Sequence, residues 1–319
     1  MSNPTITPVT WRGQPGWLLA NGRIEVVVTS MGANLACLRQ VGDGLNPLWQ
    51  PQWRSATEPD PDVPGDPAGE GRLLAAASGS FLCLDRFGPA RAGETRPFHG
   101  EAAVATWACL GREGDAVAFA ADLPQAGLSV RRSLRLEGET CLLDTTARAI
   151  DGCDHEVEWC EHATLGDPFL DGATIDAGID RVDAEAHGVP PGSISGVLAM
   201  PRAGAPPRGD VWSGRVAEGW WRAEHPGLRR RLTVTWQRDD FPWLVVWTEH
   251  RSRHTPPWNG RERARGLELC TKPFPTPHAY PDPTRLGRPS RCRISAAMAV
   301  SKRVVFTWTH LDPGIPVGG

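Results

Sequence analysis

Three short segments, far apart in the chain, each carry a titratable side chain suited to moving protons on and off oxygen. They are Phe98-His99-Gly100-Glu101, Glu161-His162-Ala163-Thr164-Leu165-Gly166 and Gly266-Leu267-Glu268-Leu269. An imidazole titrates near neutral pH, and a carboxylate can act as a base there. Two histidines and one glutamate are thus a minimal acid–base kit. Taken singly, each has a plainer use: His99 as a turn residue before glycine, His162 as a core histidine tied to backbone, Glu268 as a solvated surface acid. Together they could also form a two-histidine, one-carboxylate metal set, although each ligand would come from a different strand. The chain shows no phosphate-binding loop, dinucleotide fingerprint or clustered metal motif. The expectation is chemistry by side chains alone, with no cofactor and no metal.

Alternate side chains of a strand point to opposite faces, so parity tests whether these groups can meet. In Glu158-Trp159-Cys160-Glu161-His162, parity sends Glu158, Cys160 and His162 one way and Trp159 and Glu161 the other. In Leu267-Glu268-Leu269-Cys270, Glu268 and Cys270 share a face and the leucines take the opposite one. Leucines turned toward a core leave Glu268 on the open side of a sheet.

The elements that must position these residues read as strands throughout. Arg23–Thr29 and Asn34–Val41 flank a Ser30-Met31-Gly32-Ala33 turn, and Glu101–Leu110, Ala116–Leu123, Leu128–Glu137 and Cys141–Ile150 read as a meander. Apolar residues of Leu128–Leu136 hold one parity, as a half-buried strand requires. Glu156–Thr164, Leu228–Gln237, Pro242–Glu249, Ala264–Cys270 and Arg291–Val300 continue the series. Arg112-Glu113-Gly114-Asp115 and Glu137-Gly138-Glu139 are hairpin turns by composition. No long segment has helical period and caps. Many short strands with frequent turn signals predict an all-β protein, a large antiparallel β-sandwich. Glu58–Arg72, Met200–Asp210 and Lys272–Pro289 are too rich in Pro, Gly and charge for strands and read as loops. No repeat and no linker divides the chain, so residues 1–319 are expected to form a single domain.

In their order, these segments resemble the galactose mutarotase-like (aldose 1-epimerase) superfamily. Its members carry a His-Gly segment early, an Asn/Glu-His segment in the middle and a Gly-x-x-Glu or Gly-Leu-Glu segment late. Here they read Pro97-Phe98-His99-Gly100-Glu101-Ala102, Cys160-Glu161-His162-Ala163-Thr164-Leu165-Gly166 and Arg265-Gly266-Leu267-Glu268-Leu269. The opening Asn21-Gly22-Arg23-Ile24-Glu25-Val26-Val27-Val28, leading to Met31-Gly32-Ala33-Asn34-Leu35, is similar to the family's first hairpin. Two departures stand out. Thr-Asn-His-Ser-Tyr-Phe is commoner around the middle histidine, and the late Glu268-Leu269 lacks the usual Pro-Gln after it. The resemblance implies the mutarotase supersandwich, Glu268 as base, His162 as acid and His99 as a hydrogen-bonding partner of the sugar ring oxygen or a neighbouring hydroxyl. It also implies that Arg86, a dozen or so residues before the His-Gly segment, binds substrate, and that no catalytic metal is needed. By its own chemistry Arg86 could equally pair with Asp85 or another nearby acid.

Carbohydrate contact also suits the stretch from Trp243 to Arg265. Trp243, Trp247 and Glu249 share strand parity, and Trp258 sits in a Pro-Pro-Trp-Asn-Gly loop where a core position is not expected. With 14 Trp against one Tyr, most indoles must pack the sheets, but Trp247 and Trp258 are candidates to face a sugar ring, with Glu249 on its hydroxyls. Five arginines between 251 and 265 could bind an acidic sugar or simply be solvated.

Composition narrows the partner. A net charge of −3 gives no field for nucleic acid or membrane, and no apolar run approaches a spanning helix. The start of the chain has no signal-peptide pattern, so a soluble cytoplasmic protein is expected. Eight cysteines lie mostly in apolar runs with no Cys-x-x-Cys pair, which reads as reduced, buried thiols; the spacings do not suit zinc. The expected partner is a small-molecule carbohydrate, and the sequence does not set the oligomeric state. Anomer interconversion is the leading expectation. A non-catalytic carbohydrate-binding protein on the same fold is the alternative, or a glycoside lyase or hydrolase pairing Glu268 with Glu158 or Glu249.

Overall fold

The computed structural model describes residues 4–53, 70–90, 93–94, 96–183, 193–275 and 291–311. The first half of the chain forms β1 (Thr5–Trp11), β2 (Gln14–Ala20), β3 (Ile24–Thr29), β4 (Leu35–Gln40), α1 (Glu70–Ala76), β5 (Ser80–Cys83), β6 (Ala108–Glu113), β7 (Ala116–Leu123), β8 (Leu128–Glu137) and β9 (Thr140–Ala149). The second half forms β10 (His155–Val157), β11 (Cys160–Gly166), β12 (Thr174–Asp183), α2 (Ile194–Leu198), β13 (Arg208–His225), β14 (Arg230–Trp236), β15 (Trp243–His250), β16 (Arg263–Cys270), β17 (Cys292–Ile294) and β18 (Val300–His310). One antiparallel sheet runs in the order β1-β2-β3-β4-β5-β11-β16-β15-β13-β14-β18-β9-β8-β7-β6, with β12 also on β13, and β10 pairs β17 separately. The protein is thus an all-β antiparallel sandwich.

The sheet folds over so that its two arms share a core. Val26, Leu38, Leu267 and Leu269 of one arm join Val117, Phe119, Val130 and Leu143 of the other in one apolar cluster. In β8 every second residue is buried and its neighbours are half exposed, the mark of a strand with one face on a core. β11 and β16 are buried at every position. They carry the core on one face and something else on the other, and that second face holds the site. A fully buried polar tie crosses the sandwich: Arg132 of β8 donates through Nη2 to both oxygens of Glu161 on β11 at 2.9 and 3.0 Å, and Ser80 Oγ donates to the same carboxylate at 2.6 Å.

Several elements differ from the sequence reading. Glu101–Leu110 is not one strand; turns occupy the start and β6 begins only at Ala108. The amides of Val104 and Ala105 turn back onto Glu101 O, which replaces extension there, and the Glu101 carboxylate accepts from the amides of Gln125 and Ala126. The end of the 58–72 loop is the start of α1, whereas residues 58–69 lie outside the described residues, as do 276–289 of the third loop. Arg291–Val300 divides into β17, a turn and the start of β18, and β13 already begins at Arg208 inside the 200–210 loop. No helix among the described residues is long and apolar enough to cross a membrane.

Candidate active site

Register creates the site floor. His162 of β11 lies opposite Glu268 of β16 on one side and Phe81 of β5 on the other. Parity turns all three to the same face, away from the core leucines. His162 Nε2 stands 3.1 Å from Glu268 Oε1, and its Nδ1 stands 3.0 Å from Thr164 Oγ1, two residues along the same strand face. Phe81 stacks on the imidazole with ring centroids 4.2 Å apart. Gly266, two residues before Glu268, has a local steric reason: a Cβ there would collide with the Glu268 carboxylate and crowd Trp247. Its missing side chain gives the carboxylate its place beside His162.

His99 reaches the same pocket from a turn. Its backbone N–H donates to Gly88 O at 2.9 Å, while its Nδ1 accepts from Gly88 N–H at 3.0 Å. An accepting Nδ1 leaves the proton of the neutral ring on Nε2, so His99 is a fixed N–H donor. Phe87 stacks on the ring at 5.2 Å, and His162 stands edge-on at 5.4 Å.

Aromatic rings build the walls. Trp49 and Trp258 stack nearly parallel, 6.1 Å apart, and Trp247 meets Trp258 edge-on at 6.0 Å. Arg253 lies over both Trp258 and Trp247, its Cζ 4.5 and 5.6 Å from the ring centroids. Leu73, Leu74 and Ala77, on and just after α1, close another side of a cleft of about 630 Å³, mouth included. Two buried carboxylates brace this wall. Glu249 accepts from Ser252 N at 2.6 Å and Ser252 Oγ at 2.8 Å, whereas Glu262 accepts from Trp49 Nε1 at 2.9 Å and Gln52 N at 2.7 Å.

Burial sets the charge states. It drives the His162 pKa down to about 3 and lifts Glu268 well above the usual carboxylate range. His99 falls well below the ordinary imidazole value through burial, with help from His162 and Arg253. Low dielectric favours the neutral form of each group. Burial thus favours a protonated Glu268 facing a neutral His162 across their contact, with Nδ1 beside Thr164 Oγ1. One proton shift along the 3.1 Å contact turns the pair into a carboxylate and an imidazolium, a base and an acid side by side.

Glu268, His162, His99, Trp247 and Trp258 all line this cleft. Trp258 is nonetheless buried, as part of the aromatic wall rather than an exposed loop tip. Arg86 and Glu249 lie elsewhere. Arg86 pairs with Glu94, donates to Pro89 O at 3.3 Å, and lines a separate polar cavity with Asp85, Arg96 and Glu158. Glu249 is committed to the turn at Ser252 and is absent from the cleft lining. Glu158 is tied to Lys272 at 2.8 Å, so neither acid named for a glycoside-cleaving pair joins Glu268 in the cleft. Of the five arginines, Arg253 alone lines the cleft among the described residues; Arg263 is held by Asp167 and Asp171, and Arg265 by Thr248 and the backbone near α2. Phe81, Thr164, Trp49 and Glu262 escaped the sequence reading. Thr164 shares parity with His162, a signal that was available; the other three reach the site only through strand order and loop packing.

No family model matches the sequence, and no curated protein matches it. Solved structures do match. A candidate aldose 1-epimerase from Klebsiella pneumoniae superposes with a TM-score of 0.68 at 14% identity, covering 93% of this chain and 80% of that one. A candidate aldose 1-epimerase from Escherichia coli K12 gives 0.66 at 12% identity, covering 97% and 100%. A galactose mutarotase-like protein from Clostridium acetobutylicum gives 0.66 at 13% identity, covering 97% and 99%. At these identities the likeness is one of fold.

Proposed function

We propose, for a chain that has the fold of the galactose mutarotase-like superfamily, that it interconverts the anomers of a free sugar or sugar derivative, as an aldose 1-epimerase does. The observation that carries this reading is the 3.1 Å contact between His162 Nε2 and Glu268 Oε1 on the floor of a tryptophan-walled cleft. Opening a cyclic sugar moves two protons on oxygens bonded to the same carbon. One leaves the anomeric hydroxyl, and another arrives at the ring oxygen. A base and an acid in direct contact can serve both oxygens together.

In this reading the Glu268 carboxylate takes the hydroxyl proton. The C1–O1 bond becomes a carbonyl as the C1–O5 bond breaks, and the ring oxygen takes the proton from His162. Rotation about C1–C2 presents the other face of the aldehyde, and closure with the roles reversed gives the other anomer. Proton bookkeeping balances over the cycle. Each positioned transfer contributes roughly a hundredfold to ten-thousandfold. His99 donates through Nε2 to the ring oxygen or a neighbouring hydroxyl, Thr164 holds the His162 ring, and the indoles of Trp247 and Trp258 face the C–H side of the sugar.

Exchange NMR across a panel of sugars and sugar phosphates tests the reading directly. At least one member should interconvert faster with the protein, and Glu268→Gln should lose about two to four orders of magnitude of that rate while melting like wild type. Sugar binding seen by tryptophan fluorescence, with no acceleration for any sugar, would replace the enzyme reading by that of a carbohydrate-binding protein.

A further inference from the structure

One step along the strands from the His162–Glu268 pair, three cysteines stand side by side. Cys160 of β11 lies opposite Cys83 of β5 and opposite Cys270 of β16. Parity places all three on the site face, with Phe81, His162 and Glu268, and all are fully buried. A sulfur from each of Cys160 and Cys270 and a carboxylate oxygen of Glu268 lie within 4.8 Å of one another. Zinc takes thiolate and carboxylate ligands at about 2.0–2.3 Å in a tetrahedron, whose edges are then about 3.5 Å long. Small side-chain rotations would bring the three donors to that spacing. Cys83 lies directly opposite Cys160 on β5 and supplies a further thiol beside the group.

We propose that Cys160, Cys270 and Glu268, with Cys83 beside them, bind one thiophilic divalent cation of the zinc or cadmium type. Glu268 lines the cleft while the thiols lie fully buried beneath it, so an ion entering from the cleft meets the carboxylate first. Binding replaces the S–H protons of Cys160 and Cys270, and any proton on Glu268, and releases them to solvent. Two thiolates and a carboxylate bring three negative charges to a divalent ion, one more than it neutralises. Soft thiolate donors select such ions over magnesium or calcium. Binding rests on ligand geometry alone. Its consequence, that a bound ion removes Glu268 as a base and stops anomer exchange, rests on the function proposed above.

The test titrates reduced, chelator-treated full-length protein with Cd²⁺, reading the ultraviolet thiolate-to-cadmium charge-transfer band and the bound metal by equilibrium dialysis. One ion per chain with such a band is expected, displaced by Zn²⁺. Cys160→Ser and Cys270→Ser should each weaken binding by at least about a hundredfold, and Glu268→Gln by about tenfold, whereas Cys37→Ser and Cys153→Ser leave it unchanged. Absence of the band at saturating Cd²⁺, or a band that survives in both Cys160→Ser and Cys270→Ser, overturns the proposal. Cys160→Ala and Cys270→Ala repeat the comparison should serine at these apolar positions prevent folding. Anomalous scattering from Cd²⁺-soaked wild-type crystals gives an answer without any variant: a peak between Cys160 and Cys270 supports the site, and peaks only elsewhere overturn it. Cadmium bound here by a protein that moves no anomer supports the metal site and counts against the sugar reaction alone.

Discussion

The Glu268 carboxylate occupies its place because residue 266 has no side chain. A methyl at position 266 would run into the carboxylate and press on Trp247, whose Cβ would lie 3.1 Å away. The cheaper adjustment is for Glu268 to swing off His162. Gly266→Ala should therefore lower anomer exchange by about a hundredfold or more, since a shift of about 1 Å at a reacting group has that scale of effect. Exchange NMR beside a thermal melt checks this; an unimpaired rate would mean that Glu268 does its work from another position or none. A second residue-scale expectation concerns His99, whose pKa in the fold lies well below the ordinary 6.5. Between those two values the unfolded chain binds a proton that the folded chain refuses. Its contribution is therefore intact above pH 6.5 and is lost as pH falls through the window, by at most about 1.4 kcal/mol per pH unit. His99→Gln should flatten that acid-side slope in urea melts at stepped pH, and an unchanged slope would show that the ring is protonated in the fold.

The segment from Ser252 to Arg261 carries Trp258 and Arg253 into the cleft, and its hold on the sheet is polar. The buried Glu249 on β15 satisfies Ser252 N and Oγ, and Glu262 at the far end satisfies Trp49 Nε1 and Gln52 N. Sequence parity put Glu249 on the correct face, but the loop claims its oxygens before a sugar can. Glu249→Ala should thus act through the loop: about 1.5–3 kcal/mol less stable, from lost charge-assisted hydrogen bonds, with KM raised more than kcat is lowered. A fall in kcat with KM unchanged would instead place Glu249 at the reacting centre. Trp258→Ala removes one plate of the Trp49–Trp258 stack. It should weaken sugar binding by about 1 kcal/mol or more and cut the ligand-induced change in fluorescence. Sugar affinity that survives this substitution would move the binding wall away from the loop.

Across the molecule, the two arms of the sheet share an apolar core and the buried ion pair Arg132–Glu161. Arg132 is fully buried, and its Nε and Nη1 find no hydrogen-bond partner among the described residues. A buried pair of this kind costs much of its Coulombic gain in desolvation, yet losing one partner leaves the other charge stranded. Arg132→Met should destabilise the protein by about 3–5 kcal/mol, and Arg132→Met with Glu161→Leu should recover most of it. Denaturant melts of both variants decide this; equal losses in the two would mean that packing volume, not charge, dominates. Glu161 is the residue next to His162, so the single variant should also disturb β11 and with it the site floor.

Properties of the local backbone were legible in the sequence. Side chains alternate along any strand whatever its neighbours, so parity alone put Glu268 opposite the core leucines, set His162 on the face opposite Trp159 and Glu161, and gave β8 its buried face. Glycine, proline and acidic punctuation located most turns, although a turn closed by the amides of Val104 and Ala105 on Glu101 O took the start of a strand expected over Glu101–Leu110. The order of the segments around His99, His162 and Glu268 carried the likeness of fold. Strand order and register belong to the tertiary structure, because they are settled by the packing of all strands at once. Register set His162 against Glu268, brought Phe81 beneath the imidazole and aligned Cys83, Cys160 and Cys270, whose spacing along the chain gives no hint of a shared site. Arg86 was decided the same way: the chain offered it Asp85 or another nearby acid, and folding paired it with Glu94 and took the guanidinium into a different cavity.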